Sequence, residues 1–213
     1  MMKILPAILT DDEIDLEKKI RQAELFTDWV QVDIMDGQFV PSRSIIDSQL
    51  STIKTRLNIE VHLMVKEPES KVEGYARAGA SRIVFHYEST PSPDRVISKI
   101  RRLKVGAGLA INPETSVSSI VSLLDKIDFI LFLSVHPGFY GKEFLPEVLE
   151  KVKEFRAKGF KMEVGMDGGI KADNIKIIKD AGVDYACVGS AVFNHVAPQT
   201  AYKSLLELVK NEE

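Results

Sequence analysis

Eight short apolar runs recur along the chain, each followed by a longer, charge-rich segment. The runs cover residues 3–9, 29–34, 59–64, 82–85, 106–111, 129–134, 161–166 and 184–188. In the segments between them, apolar positions fall at helical spacing. Leu16, Ile20, Ala23 and Phe26 line one face of residues 15–26, and Val148, Val152 and Phe155 do the same in 147–155. Leu205, Leu208 and Val209 give a last helix its stripe. Strands alternating with helices imply βαβ units and a parallel sheet. Eight such units in 213 residues predict an α/β fold, a single-domain (β/α)8 TIM barrel spanning residues 1–213, at the short end of the range for that fold. An open doubly wound sheet is the competing arrangement, but no GxGxxG turn follows the first strand. No linker, low-complexity tract or charge block divides the chain.

Composition narrows the partners. The hydrophobic fraction of 45% and charged fraction of 28% are those of a globular protein. With 28 basic against 31 acidic side chains the net charge is −3, without the basic footprint of a nucleic-acid binder. The lone cysteine, Cys187, has no partner for an internal disulfide, and no Cys/His cluster has the spacing of structural zinc. No apolar run reaches the roughly 18 residues of a membrane helix. The start of the chain meets Pro6 and then Asp11 and Asp12, unlike a signal peptide. A cytoplasmic chain that binds neither membrane nor nucleic acid is expected.

In a barrel of this type the chemistry lies at the carboxyl ends of the strands. Strand two ends Gln31-Val32-Asp33-Ile34-Met35-Asp36-Gly37. Alternation puts Val32 and Ile34 toward the helices, and Gln31 and Asp33 inside the barrel. A carboxylate there is costly unless it is paired or holds a metal. Asp36 is read as capping the turn at Gly37. Strand three carries Glu60-Val61-His62-Leu63-Met64, and His62 shares the inward parity beside Asp33. Strand seven ends Met166-Asp167-Gly168-Gly169, which sets Asp167 across the barrel from Asp33. Two carboxylates on opposite sides of a substrate suit proton removal on one face and delivery on the other. Glycines cluster after the last three strands, in His136-Pro137-Gly138-Phe139-Tyr140-Gly141-Lys142, Gly168-Gly169 and Gly189-Ser190. Backbone N–H groups in that region commonly hold phosphate, so a small phosphorylated substrate is expected. Trp29 and Cys187 are read as core, His195 as surface, and His86 and Glu88 as groups just past strand four, with support of the site as the lesser alternative.

These motifs make the chain resemble the ribulose-phosphate 3-epimerase family over nearly its whole length. The resemblance rests on Pro6-Ala7-Ile8-Leu9, Val32-Asp33-Ile34-Met35-Asp36-Gly37, Phe39-Val40-Pro41, Val61-His62-Leu63-Met64 and Phe85-His86-Tyr87-Glu88. It continues through Gly108-Leu109-Ala110-Ile111-Asn112-Pro113, Ser134-Val135-His136-Pro137-Gly138-Phe139, Asp167-Gly168-Gly169 and Gly189-Ser190-Ala191-Val192-Phe193. It implies a (β/α)8 enzyme that interconverts ribulose 5-phosphate and xylulose 5-phosphate through an enediolate. By motif, Asp33 and Asp167 match the acid/base pair, and both join His62 as ligands of a divalent metal ion (zinc, iron, manganese or cobalt). Met35 and Met64 match methionines beside the reacting carbons. The phosphate grip maps to Gly138, Gly141, Gly168, Gly169, Gly189 and Ser190. Family members are commonly homo-oligomers.

The chain departs from the family pattern at five positions. Gln31 replaces a metal-binding histidine and is the candidate fourth ligand. An amide oxygen suits harder ions better than zinc-like ones. Ala7 replaces a serine, Gln38 a histidine, Ser42 an asparagine and Leu133 a methionine. These changes gather at the metal and sugar end, so two alternatives accompany the epimerase reading. One is a related sugar-phosphate lyase or synthase on the same barrel, and the other is a sugar-phosphate-binding protein without turnover. Residues 38–47, which include Ser42-Arg43-Ser44, are expected to shape substrate choice.

Overall fold

The structure is a computed structural model that describes residues 2–138 and 142–210. Its strands are β1 (Lys3–Ile8), β2 (Trp29–Met35), β3 (Asn58–Met64), β4 (Ala80–His86), β5 (Gly106–Ile111), β6 (Phe129–Leu133), β7 (Glu163–Asp167) and β8 (Tyr185–Val188). They pair in parallel and in sequence order, and β8 closes onto β1. The connecting helices are α1 (Glu13–Ala23), α2 (Asp47–Thr52), α3 (Val72–Arg77), α4 (Pro93–Arg102), α5 (Val148–Ala157) and α6 (Ile175–Asp180), and a short α7 (Ser190–Phe193) precedes the closing α8 (Pro198–Val209). The (β/α)8 barrel expected from the apolar rhythm is therefore the fold. No helix among the described residues is long and apolar enough to cross a membrane.

Local chemistry explains the boundaries. Asp12 starts α1 four residues before Leu16, the first buried position of the apolar stripe, and its Oδ1 accepts from the Ile14 N–H at 2.8 Å. The connection from β5 to β6 is a 3₁₀ helix (Val117–Lys126) where an α-helix would be usual. It opens on Ser116, whose hydroxyl bonds those of Ser118 and Ser119 at 2.8 and 2.9 Å. Such local side-chain bonds compete with regular helix. Strand β4 runs one residue further than its apolar run, since His86 still pairs with Ala110. His86 thus belongs to the strand, not to the loop past it, and is fully buried.

Side chains of alternate parity divide between two cores. Val32, Ile34, Val61 and Leu63 lie between sheet and helices, while Leu5, Ala7, Val84, Leu131, Leu133 and Cys187 fill the barrel interior. Cys187 is buried there, as read from sequence, whereas Trp29 is only partly buried at its edge. The amino-terminal end of the barrel is plugged by Arg82. Its guanidinium sits 4.4 to 4.7 Å from the ring centres of Phe129, Tyr185 and Trp29. Its Nε lies 2.5 Å from Glu60 and its Nη1 2.6 Å from Glu163. Two glycines make room for the rings. A Cβ on Gly165 would lie 2.2 Å from Tyr185 Cζ, and one on Gly108 would lie 2.2 Å from Phe129 Cζ.

Two predictions follow from the plug. Gly165→Ala forces Tyr185 out of a close-packed slot, and overpacking of that kind costs about 1–3 kcal/mol. Its thermal midpoint should fall by several degrees, and an unchanged midpoint would contradict the packing. Burial alone would raise the Glu163 pKa, but the charge of Arg82 and hydrogen bonds from Lys3 and Arg82 hold it below the ordinary 4.5. A depressed folded pKa means stabilisation present above pH 4.5 and lost as pH falls through the lower folded value. The stability gap between the native protein and Glu163→Gln, followed by thermal melts, should therefore be constant above that pH and narrow below it.

Candidate active site

The register of the barrel assembles the polar cluster. Asp33 pairs with His62, Gln31 with Glu60, and Met35 with Met64 across β2 and β3. Asp167 ends β7 opposite Leu133 of β6. His62 Nδ1 lies 3.1 Å from Asp33 Oδ1 and 3.3 Å from Asp167 Oδ2. Gln31 bridges the same two groups, its Nε2 donating to Asp33 Oδ1 at 2.9 Å and to Asp167 Oδ2 at 2.8 Å. The carboxyl groups therefore converge on one amide and one imidazole beneath the cavity.

Burial and charge set the protonation. Asp33 is pushed above the usual carboxylate range, mainly by burial and further by the like charge of Asp167, against hydrogen bonds from His62 and Gln31. Burial alone would lower the His62 pKa, but its hydrogen bonds to Asp167 and Asp33 and their charges raise it to about 10. Without a cation the cluster thus favours a proton on His62 Nδ1, the position that a bound cation would take. The second ring nitrogen, Nε2, meets His86 Nε2 at 2.9 Å, and the two rings stack with centroids 5.1 Å apart. Burial and the charge of His62 push His86 the other way, below the ordinary histidine value, although Glu88 opposes this.

The donors also fit a divalent cation. One ligand atom each from Asp33, His62 and Asp167 lies within 4.8 Å of the other two. The side-chain oxygen of Gln31 is buried without a hydrogen-bond partner, an expensive state for an amide. Turning that amide end for end would aim the oxygen at the cluster as a fourth donor. Three oxygens and one imidazole nitrogen form a set suited to manganese, iron or cobalt, and less to thiolate-preferring ions.

Above the cluster a cavity is lined by Asp33, Met35, Met64, Gly138, Asp167, Gly168, Gly169, Gly189 and Ser190. Gly141 lies outside the described residues. Gly168 and Gly169 take φ of +116° and +64°, and a Cβ on Gly169 would come within 2.7 Å of the Phe144 backbone nitrogen. Only glycine lets the chain turn there while keeping its N–H groups at the cavity. Of the departures from the family pattern, Ala7 and Leu133 line the cavity alongside Leu9, Ile170 and Lys142. Lys142 was not singled out from sequence, where it reads as an ordinary charged residue after a glycine. Gln38 instead lines a separate groove with Arg43 and Ser44. The reason is Asp36, whose Oδ1 accepts from the Gln38 and Phe39 N–H groups and curls the loop away.

Ser44 carries a contact that no sequence pattern marks. Its hydroxyl donates to the Asp33 carbonyl at 2.8 Å and accepts from the Met35 N–H at 2.9 Å, fixing the end of β2. His136 pairs with Glu114 at 2.7 Å on the exposed rim. His195 accepts from the Ala197 N–H in the loop before α8.

Comparison with known proteins agrees with this geometry. The chain matches the Ribulose-phosphate 3 epimerase family over residues 3–193. It is 35% identical to the ribulose-phosphate 3-epimerase of Schizosaccharomyces pombe over 209 residues, covering 95% of this chain and 92% of that one. Against the ribulose-phosphate 3-epimerase of Escherichia coli K12 it is 37% identical over 217 residues, covering 98% and 95%. Among solved structures, 3-hexulose-6-phosphate synthase from Salmonella typhimurium superposes with a TM-score of 0.75 at 14% identity, covering 98% of each chain, a likeness of fold. With that match along most of its length, the chain belongs to the ribulose-phosphate 3-epimerase family and is an enzyme of the isomerase class, an epimerase.

Proposed function

We propose that the enzyme inverts C3 of a pentulose phosphate, interconverting D-ribulose 5-phosphate and D-xylulose 5-phosphate, with Asp33 and Asp167 as the acid/base pair. The observation that carries this reading is the convergence of the two carboxyl groups on shared partners directly below a cavity walled by glycines. The substrate phosphate would lie at the end formed by Gly138, Gly168, Gly169, Gly189 and Ser190, where backbone N–H groups can meet it. C3 would then stand over the carboxyl groups, between Met35 and Met64. One carboxylate takes the C3 proton, leaving an enediolate of the sugar, and the other carboxyl group returns a proton to the opposite face. The reaction is reversible, so each aspartate acts as acid in one direction and as base in the other.

The environment of Asp33 supports that role. A carboxyl group raised by burial is a stronger base than one in water, and Asp33 is held by Ser44 and Gln31 at a fixed place. Asp33, His62 and Asp167, with the Gln31 oxygen, would hold a divalent cation. Such an ion supplies Lewis-acid stabilisation of negative charge worth several kcal/mol. Before an ion binds, Gln31 and His62 would keep the pair aligned through their hydrogen-bond contacts with Asp33 and Asp167.

Proton NMR in deuterium oxide tests the reading. With ribulose 5-phosphate and manganese, cobalt or magnesium present, deuterium should enter C3 as xylulose 5-phosphate appears. Asp33→Asn and Asp167→Asn should each slow that exchange by roughly 10²–10⁴-fold while inorganic phosphate still binds. Normal exchange in either variant would remove that aspartate from the mechanism. Carbon–carbon cleavage in place of exchange would assign a lyase.

A further inference from the structure

Behind the cluster, away from the cavity, a line of contacts leads outward from the buried His62 and His86 to Glu88 at the surface. His62 Nε2 and His86 Nε2 are 2.9 Å apart, and both rings are fully buried. Two ring nitrogens at that distance must share one proton, so one donates and the other accepts. On its far side His86 presents Nδ1 to Glu88 Oε2, 3.5 Å away, an electrostatic contact at a buried nitrogen that has no hydrogen-bond partner. The negative charge of Glu88 favours a proton on the facing Nδ1 of a neutral His86, which leaves the lone pair on Nε2. The N–H in the pair is then that of His62 Nε2. Its Nδ1, the atom aimed at Asp33 and Asp167, is the one left able to bind a cation.

The outer end of the line is held firmly. Glu88 Oε1 accepts from the Asn112 backbone N–H at 2.9 Å and from the Thr115 hydroxyl. The Ser89 hydroxyl donates to the His86 carbonyl at 2.6 Å, and the Phe39 ring packs on the imidazole with centroids 5.0 Å apart. Glu88 is therefore fixed, and His86 has little freedom to turn its ring over.

We propose that Glu88 and His86 are positioning residues that select the Nε2–H tautomer of His62, and so leave its Nδ1 lone pair directed at the site between Asp33 and Asp167. The proposal rests on the reading of that site as a cation centre. Neither residue touches the cavity; each acts through the next. Their contribution is to cation affinity and to the orientation of one ring. A second-sphere partner of this kind is typically worth 10–100-fold in affinity.

The experiment combines manganese binding, followed by electron paramagnetic resonance, with two-dimensional ¹⁵N–¹H NMR of the histidine rings in the full chain holding magnesium or zinc. The native protein should show His62 protonated at Nε2 and His86 at Nδ1. Glu88→Met, which keeps the length but removes the acceptor, should weaken manganese binding 10–100-fold and give mixed tautomers at both rings. Glu88→Gln retains an acceptor oxygen and should restore most of the affinity and the native tautomer pattern. His86 protonated at Nε2 in the loaded native protein would overturn the proposal. Full affinity and unchanged tautomers in Glu88→Met would do so as well. Absence of manganese binding by the native protein would instead overturn the cation reading on which the proposal stands.

Discussion

Asp33 and Asp167 stand inside a closed barrel, where an unpaired carboxylate is among the most expensive groups a protein can hold. Much of the site follows from meeting that cost. Register pairs Asp33 with His62, whose Nδ1 lies within reach of both carboxyl groups. Gln31 places one N–H2 group across both of them. Ser44 fixes the backbone that carries Asp33. An arrangement this constrained holds the two carboxyl groups in place at the floor of a cavity, the preorganisation that the proposed proton transfer needs.

The same problem is solved differently at the other end of the barrel. There a cation, Arg82, is buried first, and two carboxylates and three aromatic rings are gathered around it. That plug is a closed structural unit, with Gly108 and Gly165 kept small so that Phe129 and Tyr185 can reach the guanidinium. The carboxyl end is instead open to the cavity, and there the Gln31 side-chain oxygen is buried without a hydrogen-bond partner.

The barrel was legible because its signal is periodic. Strand parity alone separates Val32 and Ile34 from Gln31 and Asp33, and the structure puts the first pair against the helices and the second inside. Asp167 was legible from a different cue, an acid before two glycines at a strand end. What the sequence concealed depends on contacts between distant strands. The cage around Arg82 draws on β2, β3, β4, β6, β7 and β8, and no local pattern announces it. His86 was placed past its strand because the apolar run ends at Phe85, whereas pairing with Ala110 carries the strand one residue further. Ser44 looks like any loop serine until its two hydrogen bonds are seen, and Gln38 turns from the cavity because Asp36 curls the loop.

Anomalous diffraction near the manganese edge, on crystals grown with manganese, tests most directly whether the carboxylate cluster is built for a cation. The account predicts one strong peak among Asp33, His62 and Asp167, with the Gln31 amide turned so that its oxygen faces the ion. Crystals that hold manganese elsewhere, or nowhere, with Gln31 still donating to both carboxyl groups, would contradict it.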